Sequence, residues 1–138
     1  MKTLTDILES LEMQRVFVVL KPGSLDLGQT VIEIFAKRGW DIYQTRTKHL
    51  LLSEAKKLYA VHKKESFYED LCNYMSSGPC RAFIFEKPGK TTKKSFEEVA
   101  KIKDGIRKKY GESDMRNVLH SSDSQEAMDN EAPLFFVY

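Results

Sequence analysis

The residues best suited to chemistry lie near the end of the chain, in the stretch Asn117–Ser124 and at Glu131. His120 ends a short apolar run, and hydroxyl residues with an aspartate then open a segment of helical character. We therefore expect a strand end that presents an imidazole beside a helix N-terminus, whose free N–H groups favour an anion. An imidazole in that place can act as a nucleophile or proton shuttle in phosphate chemistry. The competing interpretation is that His120 is a structural histidine beside an N-cap. When His120 is considered without the rest of the chain, this interpretation is preferred.

Five blocks of the sequence resemble, in the same order, those of the nucleoside diphosphate kinase family. They are Arg15–Pro22 with its Lys-Pro, Ser66-Phe67-Tyr68 after Tyr59, Tyr74–Pro79 with its Gly-Pro turn, Ile106-Arg107, and Arg116–Ser124 followed by Glu131. Together the blocks extend over residues 14–136. The last block is highly specific, whereas a Lys-Pro pair alone is a weak signal. The resemblance therefore favours a chemical role for His120.

The resemblance implies a phosphotransferase that moves the γ-phosphate of a nucleoside triphosphate to a nucleoside diphosphate through a phosphohistidine. His120 matches the histidine that carries the phosphate, and Glu131 matches the carboxylate that supports it, directly or through Ser124. A neutral imidazole is nucleophilic at neutral pH, and a covalent intermediate divides one difficult transfer into two easier ones. The expected cofactor is Mg²⁺, which arrives on the nucleotide phosphates. No metal site made by the protein alone is expected, since the sequence has no clustered Asp/Glu set.

By the same resemblance, five residues contact the nucleotide. Lys21 contacts phosphate and sugar and takes part in the transfer, Asn117 hydrogen-bonds the ribose, and Tyr59 lies near the phosphates. Phe67 stacks on the base, which any base accepts because each has a π-face. Arg107 clamps a phosphate with its planar guanidinium. Without the family, Lys21 would be interpreted as a solvated lysine and Tyr59 as a core tyrosine.

The chain departs from the family pattern at single positions. The aspartate of the family's Lys-Pro-Asp-Gly is absent from Lys21–Ser24, and a usual arginine is replaced by Leu27. The glycine after the catalytic histidine is Ser121, and the apolar residue opposite the stacking aromatic is Asp114. These changes are compatible with a site that binds phosphate more weakly than the site of the family does.

The segment between Pro79 and His120 is also shorter than in the family. It includes the loop that, in the family, lines the base and joins subunits. The family's second arginine and its phosphate-binding threonine have no clear counterpart in it. The nearest substitutes are four neighbouring residues, Thr91, Thr92, Lys93 and Lys94. We expect one of them to take part in the phosphate site.

Residues 87–109 are unusually basic, with nine Lys or Arg residues against three acidic ones. Most of these lysines are expected on a solvated helix face. The alternatives are a positive rim that attracts nucleotide phosphates and a nucleic-acid patch. Nucleic acid is an unlikely partner, because no base-reading motif is present and the formal net charge of the chain is only +2.

The predicted elements alternate between strands and helices. Strands are expected at Val16–Leu20, Trp40–Leu50, Cys80–Glu86 and Asn117–His120. Helices are expected from Leu27 to a stop at Gly39, from Ser53, and at the capping boxes Ser66/Glu69 and Ser95/Glu98. The order fits an α+β, ferredoxin-like fold. The resemblance implies a four-stranded antiparallel sheet with helices packed on one face.

The length of 138 residues indicates one domain. We divide the chain into an N-terminal extension, residues 1–14, and a nucleoside diphosphate kinase-like domain, residues 15–138. The extension is a short helix or an arm, because Leu4, Ile7, Leu8 and Leu11 share one helical face. No apolar run is long enough to cross a membrane. The two cysteines have neither metal-ligand nor redox spacing, so a cytoplasmic protein is expected.

Two other functions stay open. One is a nucleotide-binding relative with weak or no kinase activity. The other is a protein phosphohistidine carrier or scaffold that uses His120 on a protein partner. The expected partners are nucleoside triphosphates and diphosphates, and the resemblance implies a homo-oligomer built from dimers. Nucleotide preference and oligomer size do not follow from the sequence.

Overall fold

The computed structural model describes residues 1–4 and 12–137. Its strands are β1 Met13–Leu20, β2 Asp41–His49, β3 Pro79–Pro88 and β4 Leu119–Ser121. Its helices are α1 Gly28–Ala36, α2 Leu52–Leu58, α3 Tyr68–Met75, α4 Lys93–Tyr110 and α5 Gln125–Glu131. Short 3₁₀ turns lie at Leu25–Leu27, Ala60–His62 and Ala132–Leu134.

The strands form one antiparallel sheet in the order β2-β3-β1-β4. Strand β3 lies between β1 and β2 and runs antiparallel to both, which is the split βαβ arrangement. The predicted α+β, ferredoxin-like class with a four-stranded antiparallel sheet is therefore confirmed. No helix among the described residues is both long and apolar enough to cross a membrane.

Both faces of β1 are covered. Its residues Val16–Leu20 are completely buried, so side chains of both orientations need partners. On one face, the ring of Phe35 in α1 stacks on Phe85 with centroids 4.2 Å apart. On the other face, Phe135 and Phe136 pack against Phe17 with centroid distances of 5.8 and 6.4 Å. The C-terminal segment therefore covers the face of the sheet opposite α1.

The start of β4 differs from the prediction for a local reason. Val118 has a φ of +80°, and the Leu119 N–H donates to the Asn117 carbonyl at 3.0 Å. This is a γ-turn, a strained conformation for a β-branched residue. Because the turn interrupts extended backbone, β4 begins at Leu119 and not at Asn117.

Three predicted helix starts are also displaced. Helix α2 begins at Leu52, where the Glu54 carboxylate accepts the Leu51 N–H at 3.0 Å, and Ser53 is not its cap. Helix α3 begins at Tyr68 without a side-chain cap, so the Ser66/Glu69 box does not form. Helix α4 begins at Lys93, and the Ser95 hydroxyl accepts the Thr92 N–H at 3.1 Å. The helices exist as predicted, but none of the three predicted serines is the N-cap residue.

The predicted helix or arm over residues 1–14 falls largely on residues 5–11, which lie outside the described residues. The last two residues of that range, Met13 and Gln14, begin β1 and pair with Pro88 and Lys87. The Gly89 N–H extends the pairing to the Glu12 carbonyl at 3.0 Å. The sheet therefore begins earlier than Val16.

Candidate active site

A cavity of about 980 Å³ lies against edge strand β4 and the end of β1. Of the predicted site residues, all but Asn117 line it: Lys21, Tyr59, Phe67, Arg107, His120, Ser124 and Glu131. Asn117 does not line the cavity, but its side-chain oxygen accepts a hydrogen bond from Lys21 Nζ. The structure thus brings together residues that are up to 110 positions apart between Lys21 and Glu131.

His120 is held by a carboxylate. It lies in β4 opposite Val19, and its Nε2 is hydrogen-bonded to Oε1 of Glu131 in α5. The other carboxylate oxygen of Glu131 accepts the Ser122 hydroxyl at 3.1 Å, and Glu131 is buried. With Glu131 ionised, Nε2 carries the ring proton, and Nδ1 is the nitrogen with a free lone pair. The contact fixes both the orientation and the tautomer of the ring.

The hydroxyl that supports Glu131 belongs to Ser122 and not to Ser124. The Ser124 hydroxyl accepts the Ala127 N–H at 3.1 Å and so caps α5. Of the two predicted alternatives, direct support or support through Ser124, the structure has the direct contact between His120 and Glu131. The period of two along extended chain places Ser122 on the same side as His120, and this signal was available in the sequence.

Lys21 is anchored beside Asn117. Its Nζ donates to Asn117 Oδ1 at 2.7 Å and to the Met115 carbonyl at 3.1 Å. Its backbone N–H donates to the Val118 carbonyl at 2.8 Å, so the strained turn joins the two segments. Lys21 is only 3% exposed, which excludes a solvated strand-end lysine.

The electrostatic environment of Lys21 is unusual for a lysine. Burial, together with the positive charges of Arg107 and Lys103, lowers its pKa to about 7. Near neutral pH the free protein therefore holds this ammonium in a partly deprotonated state. An anion in the cavity would reverse the effect, since an opposite charge stabilises the protonated form.

Three buried polar atoms of cavity-lining residues have no hydrogen-bond partner among the described residues. They are the Tyr59 hydroxyl, the Arg107 Nε and the Ser121 hydroxyl. Arg107 is otherwise anchored, because its Nη2 donates to the Leu119 carbonyl at 2.8 Å. Tyr59 lies edge-on to the His120 ring, with the ring centroids 5.3 Å apart, and burial raises the pKa of its phenol, so it remains a donor. Unpaired buried donors are rare, and phosphate oxygens are acceptors that suit all three.

The rim of the cavity is aromatic. Phe67 lines it and remains 43% exposed, with the His62 ring at a centroid distance of 5.5 Å. Asp114 lines the same cavity, where the family resemblance leads one to expect an apolar residue. Phe67 therefore offers an open face on which a planar ring can stack.

The expected substitutes in the phosphate site are wrong. Thr91 accepts the Arg15 N–H at 3.1 Å, and Thr92, Lys93 and Lys94 are exposed at the start of α4. A helix rises 1.5 Å per residue, so Lys93 lies about 21 Å from Arg107 along the axis. None of the four residues lines the cavity.

A different basic residue faces the cavity. Lys103 lines it one helical turn before Arg107. Six other basic residues of the region are exposed, namely Lys90, Lys93, Lys94, Lys101, Lys108 and Lys109. The prediction of a mostly solvated helix face is confirmed. It did not single out Lys103, although the i,i+4 spacing from Arg107 could have revealed that residue.

The carboxylates of the cavity do not form a metal cage. Among the described residues, no group of three or more His, Cys, Asp or Glu side chains could hold a metal ion. Glu131 is occupied by His120 and Ser122. Asp123 also lines the cavity and is exposed. This donor set fits a cation that is held mainly by a ligand's own phosphates.

Comparison with known sequences agrees with the geometry. The family model described as nucleoside diphosphate kinase matches residues 14–138. The nucleoside diphosphate kinase of Hyperthermus butylicus is 34% identical over 137 residues, covering 90% of this chain and 92% of the relative. That of Saccharolobus islandicus is 35% identical over 136 residues, covering 90% and 95%.

Solved structures agree as well. The Aquifex aeolicus nucleoside diphosphate kinase superposes with a TM-score of 0.74 at 26% identity, covering 91% of this chain and 96% of that one. The Halobacterium salinarum enzyme, solved with CDP, gives a TM-score of 0.77 at 23% identity, covering 92% and 90%. At that identity the second match shows the shared fold alone.

Proposed function

The chain belongs to the nucleoside diphosphate kinase family and is an enzyme of nucleotide phosphotransfer, and from this premise we propose that it transfers the γ-phosphate of a nucleoside triphosphate to a nucleoside diphosphate through a phosphohistidine on His120. The observation that supports the histidine route most strongly is the contact between His120 Nε2 and Glu131. It leaves Nδ1 as the nucleophilic nitrogen, inside a cavity that holds Lys21 and Arg107.

In the first half-reaction, the lone pair of Nδ1 attacks the γ-phosphorus. A P–N bond forms, the P–O bond to the β-phosphate breaks, and the nucleoside diphosphate leaves with that electron pair. Glu131 holds the Nε2 proton throughout, which stabilises the positive charge that develops on the ring. In the second half-reaction, a terminal oxygen of an acceptor diphosphate attacks the phosphorus, and the P–N bond breaks. No proton needs to move, because the attacking oxygen is already anionic.

The proposed nucleotide pose follows the order of side chains in the cavity. The base stacks on exposed Phe67 and the ribose lies at Asn117 and Lys21. The phosphates extend toward Arg107, Tyr59 and His120. Catalysis in this pose is mainly positioning and charge stabilisation, as is usual for phosphoryl transfer.

We propose Mg²⁺ as the cofactor, bound to the nucleotide phosphates. Asp123, one of two exposed aspartates that line the cavity, is the carboxylate near His120 in sequence that would share in holding it. The ion would neutralise charge on the transferring phosphoryl group.

A homo-oligomer built from dimers and a cytoplasmic location remain predictions. Cys72 and Cys80 are free and buried, and burial raises the pKa of the Cys80 thiol to about 12. Protonated, buried thiols are compatible with a reducing compartment.

Initial rates with ATP and GDP test the proposed function. A covalent phosphoenzyme predicts parallel double-reciprocal lines when ATP is varied at several fixed GDP concentrations. Intersecting lines would refute the covalent route. Nucleotide binding without turnover would identify a nucleotide-binding relative, and labelling of His120 without transfer to GDP would identify a protein phosphocarrier.

A further inference from the structure

Lys103 and Arg107 form a cationic pair on one side of α4. They lie four positions apart, and both line the cavity that contains His120. Between them, Asp104 and Gly105 are exposed on another side of the helix. An i,i+4 pair projects side by side from a helix, so the two cations face the same space.

No described carboxylate neutralises Lys103. None lies within ion-pair distance of its Nζ, although the more distant charges of Asp123, Asp104 and Glu131 favour its protonated form. Burial and the neighbouring charge of Arg107 lower the pKa of Lys103. Like charges at i,i+4 destabilise a helix, and Lys21 adds a third basic group to the same cavity. Three clustered basic groups without an ion-pair partner among the described residues are matched by a ligand that carries several negative charges.

Lys103 is of interest because the sequence lacks two groups that bind phosphate in the family. The phosphate site lacks the family's second arginine and its threonine, and Thr91–Lys94 lie too far away to replace them. We infer that Lys103 binds the terminal phosphates of the nucleotide together with Arg107, and that it replaces these missing groups. This inference rests on the proposed function, because it names a further residue for the same nucleotide.

A lysine in this place has a distinct consequence. Its ammonium is a compact charge on a flexible stem, whereas an arginine would impose a planar, bidentate geometry. The site should therefore distinguish nucleotides by phosphate number more than by phosphate geometry. ADP should gain from Lys103, and AMP should gain little.

Equilibrium binding of ADP and AMP, measured by calorimetry, tests the inference without requiring turnover. Lys103→Met removes the charge but keeps an unbranched stem that suits a helix, and Lys103→Gln is a second neutral variant. Lys101→Met is the matched control, since Lys101 is exposed on the same helix and does not line the cavity. We expect both neutral variants to bind ADP on the order of tenfold more weakly, as for one lost charge-assisted bond. AMP binding should change less than about twofold, Lys103→Arg should retain most ADP affinity, and Lys101→Met should match the wild type.

Other outcomes would overturn the inference. ADP affinity that is unchanged in Lys103→Met and Lys103→Gln would show that Lys103 does not contact phosphate. Equal losses for ADP and AMP, or an equal loss in Lys101→Met, would indicate an unspecific effect of charge. If the wild type forms no phosphohistidine but the neutral variants still lose ADP selectively, the proposed function fails and the binding role of Lys103 stands. If the wild type transfers phosphate and Lys103→Met binds ADP normally, only the inference fails.

Discussion

At the scale of single residues, the proposed reactivity of His120 depends on which ring nitrogen is occupied. Glu131 occupies Nε2, and Ser122 in turn occupies the second oxygen of Glu131. The Glu131 carboxylate is thus buried, and each of its oxygens has a hydrogen-bond partner. This arrangement holds the carboxylate against the imidazole. Support of this kind gives His120 one tautomer and one orientation before any nucleotide arrives.

Substitutions at the two supporting residues should differ in size. Glu131→Gln keeps the volume but removes the charge that stabilises the ring, and we expect kcat to fall about 100-fold or more. Ser122→Ala removes one hydrogen bond worth about 1 kcal/mol, so its kcat should fall about fivefold. Steady-state rates at saturating ATP and GDP measure both. A Glu131→Gln enzyme as fast as the wild type would show that the carboxylate does not act on the ring.

The depressed pKa of Lys21 predicts a proton linkage. The pKa is about 7 in the free protein, against an ordinary value of 10.5. Between these values the unfolded chain holds more protons at Lys21 than the folded chain, so this group's contribution to stability rises with pH across that window. A bound polyanion raises the pKa again, so nucleotide binding takes up a proton there and weakens as pH increases.

Calorimetry of ADP binding at pH 8.5, in buffers of different ionisation enthalpy, should show this uptake. The nucleotide phosphates are fully ionised at that pH and do not contribute. Lys21→Met is the control and should take up distinctly less. Binding by the wild type without proton uptake would contradict the assigned state of Lys21.

At the scale of elements, the site depends on how far α4 extends. The helix runs without a break from Lys93 to Tyr110, so Lys103 and Arg107 share one rigid segment. Its basic composition predicts only a solvated helix. The depth of Lys103 is set by packing of Val99, Ile102 and Ile106 beneath it, which is a tertiary effect.

Two glycine substitutions test the local geometry of the site with opposite signs. Gly105 lies inside α4 with nothing within 4 Å of an added Cβ, so Gly105→Ala should stabilise the protein by about 0.8 kcal/mol. Gly23 has a φ of +84° and equally open space, and it lies in the turn closed by the Ser24 N–H and the Lys21 carbonyl. Gly23→Ala should therefore destabilise by about 1 kcal/mol.

Urea denaturation of both variants measures these free energies of unfolding. Destabilisation by Gly105→Ala would mean that α4 is not helical at Gly105, and it would remove the basis for placing Lys103 beside Arg107. Stabilisation by Gly23→Ala would show that the turn after Lys21 has a different conformation.

At the scale of the whole molecule, the two edges of the sheet differ. Edge strand β4 has three residues and faces the active site. Edge strand β2 has nine residues, mostly exposed, and carries Ile42 and Tyr43 at 38% and 44% exposure. A long, exposed edge strand is suited to pairing with another chain. We expect β2 to pair with a second copy, as the commonest closed assembly is a dimer.

Light scattering at micromolar concentration tests the dimer, with an expected mass of twice the 16.0 kDa of one chain. Ile42→Lys places a charge on the edge and should shift the mass toward the monomer. Leu51→Lys is the control, because Leu51 is 67% exposed but lies outside β2. A monomeric wild type would refute the dimer. A hexamer would show that the short segment before His120 does not limit assembly.

The sequence predicts the fold and most of the cavity, because both depend on patterns that residues carry locally. The buried strands appear as apolar runs, and the family-like blocks contain Lys21, Phe67, Arg107 and His120, all of which line the cavity. The remainder depends on three-dimensional neighbours. The γ-turn at Val118 is unfavourable for valine and is held by the Lys21 N–H, Ser122 becomes a partner only when α5 places Glu131, and Lys103 enters the cavity only when α4 packs on the sheet.

The central claim is that His120 carries the phosphate between two nucleotides. Incubation with γ-labelled ATP and Mg²⁺, isolation of the protein, and addition of unlabelled GDP tests it in one experiment. We expect one acid-labile label on His120, absent in His120→Ala, that moves completely to GTP when GDP is added. Acid-labile label on the His120→Ala protein, or labelled GTP formed by that variant, would contradict the claim.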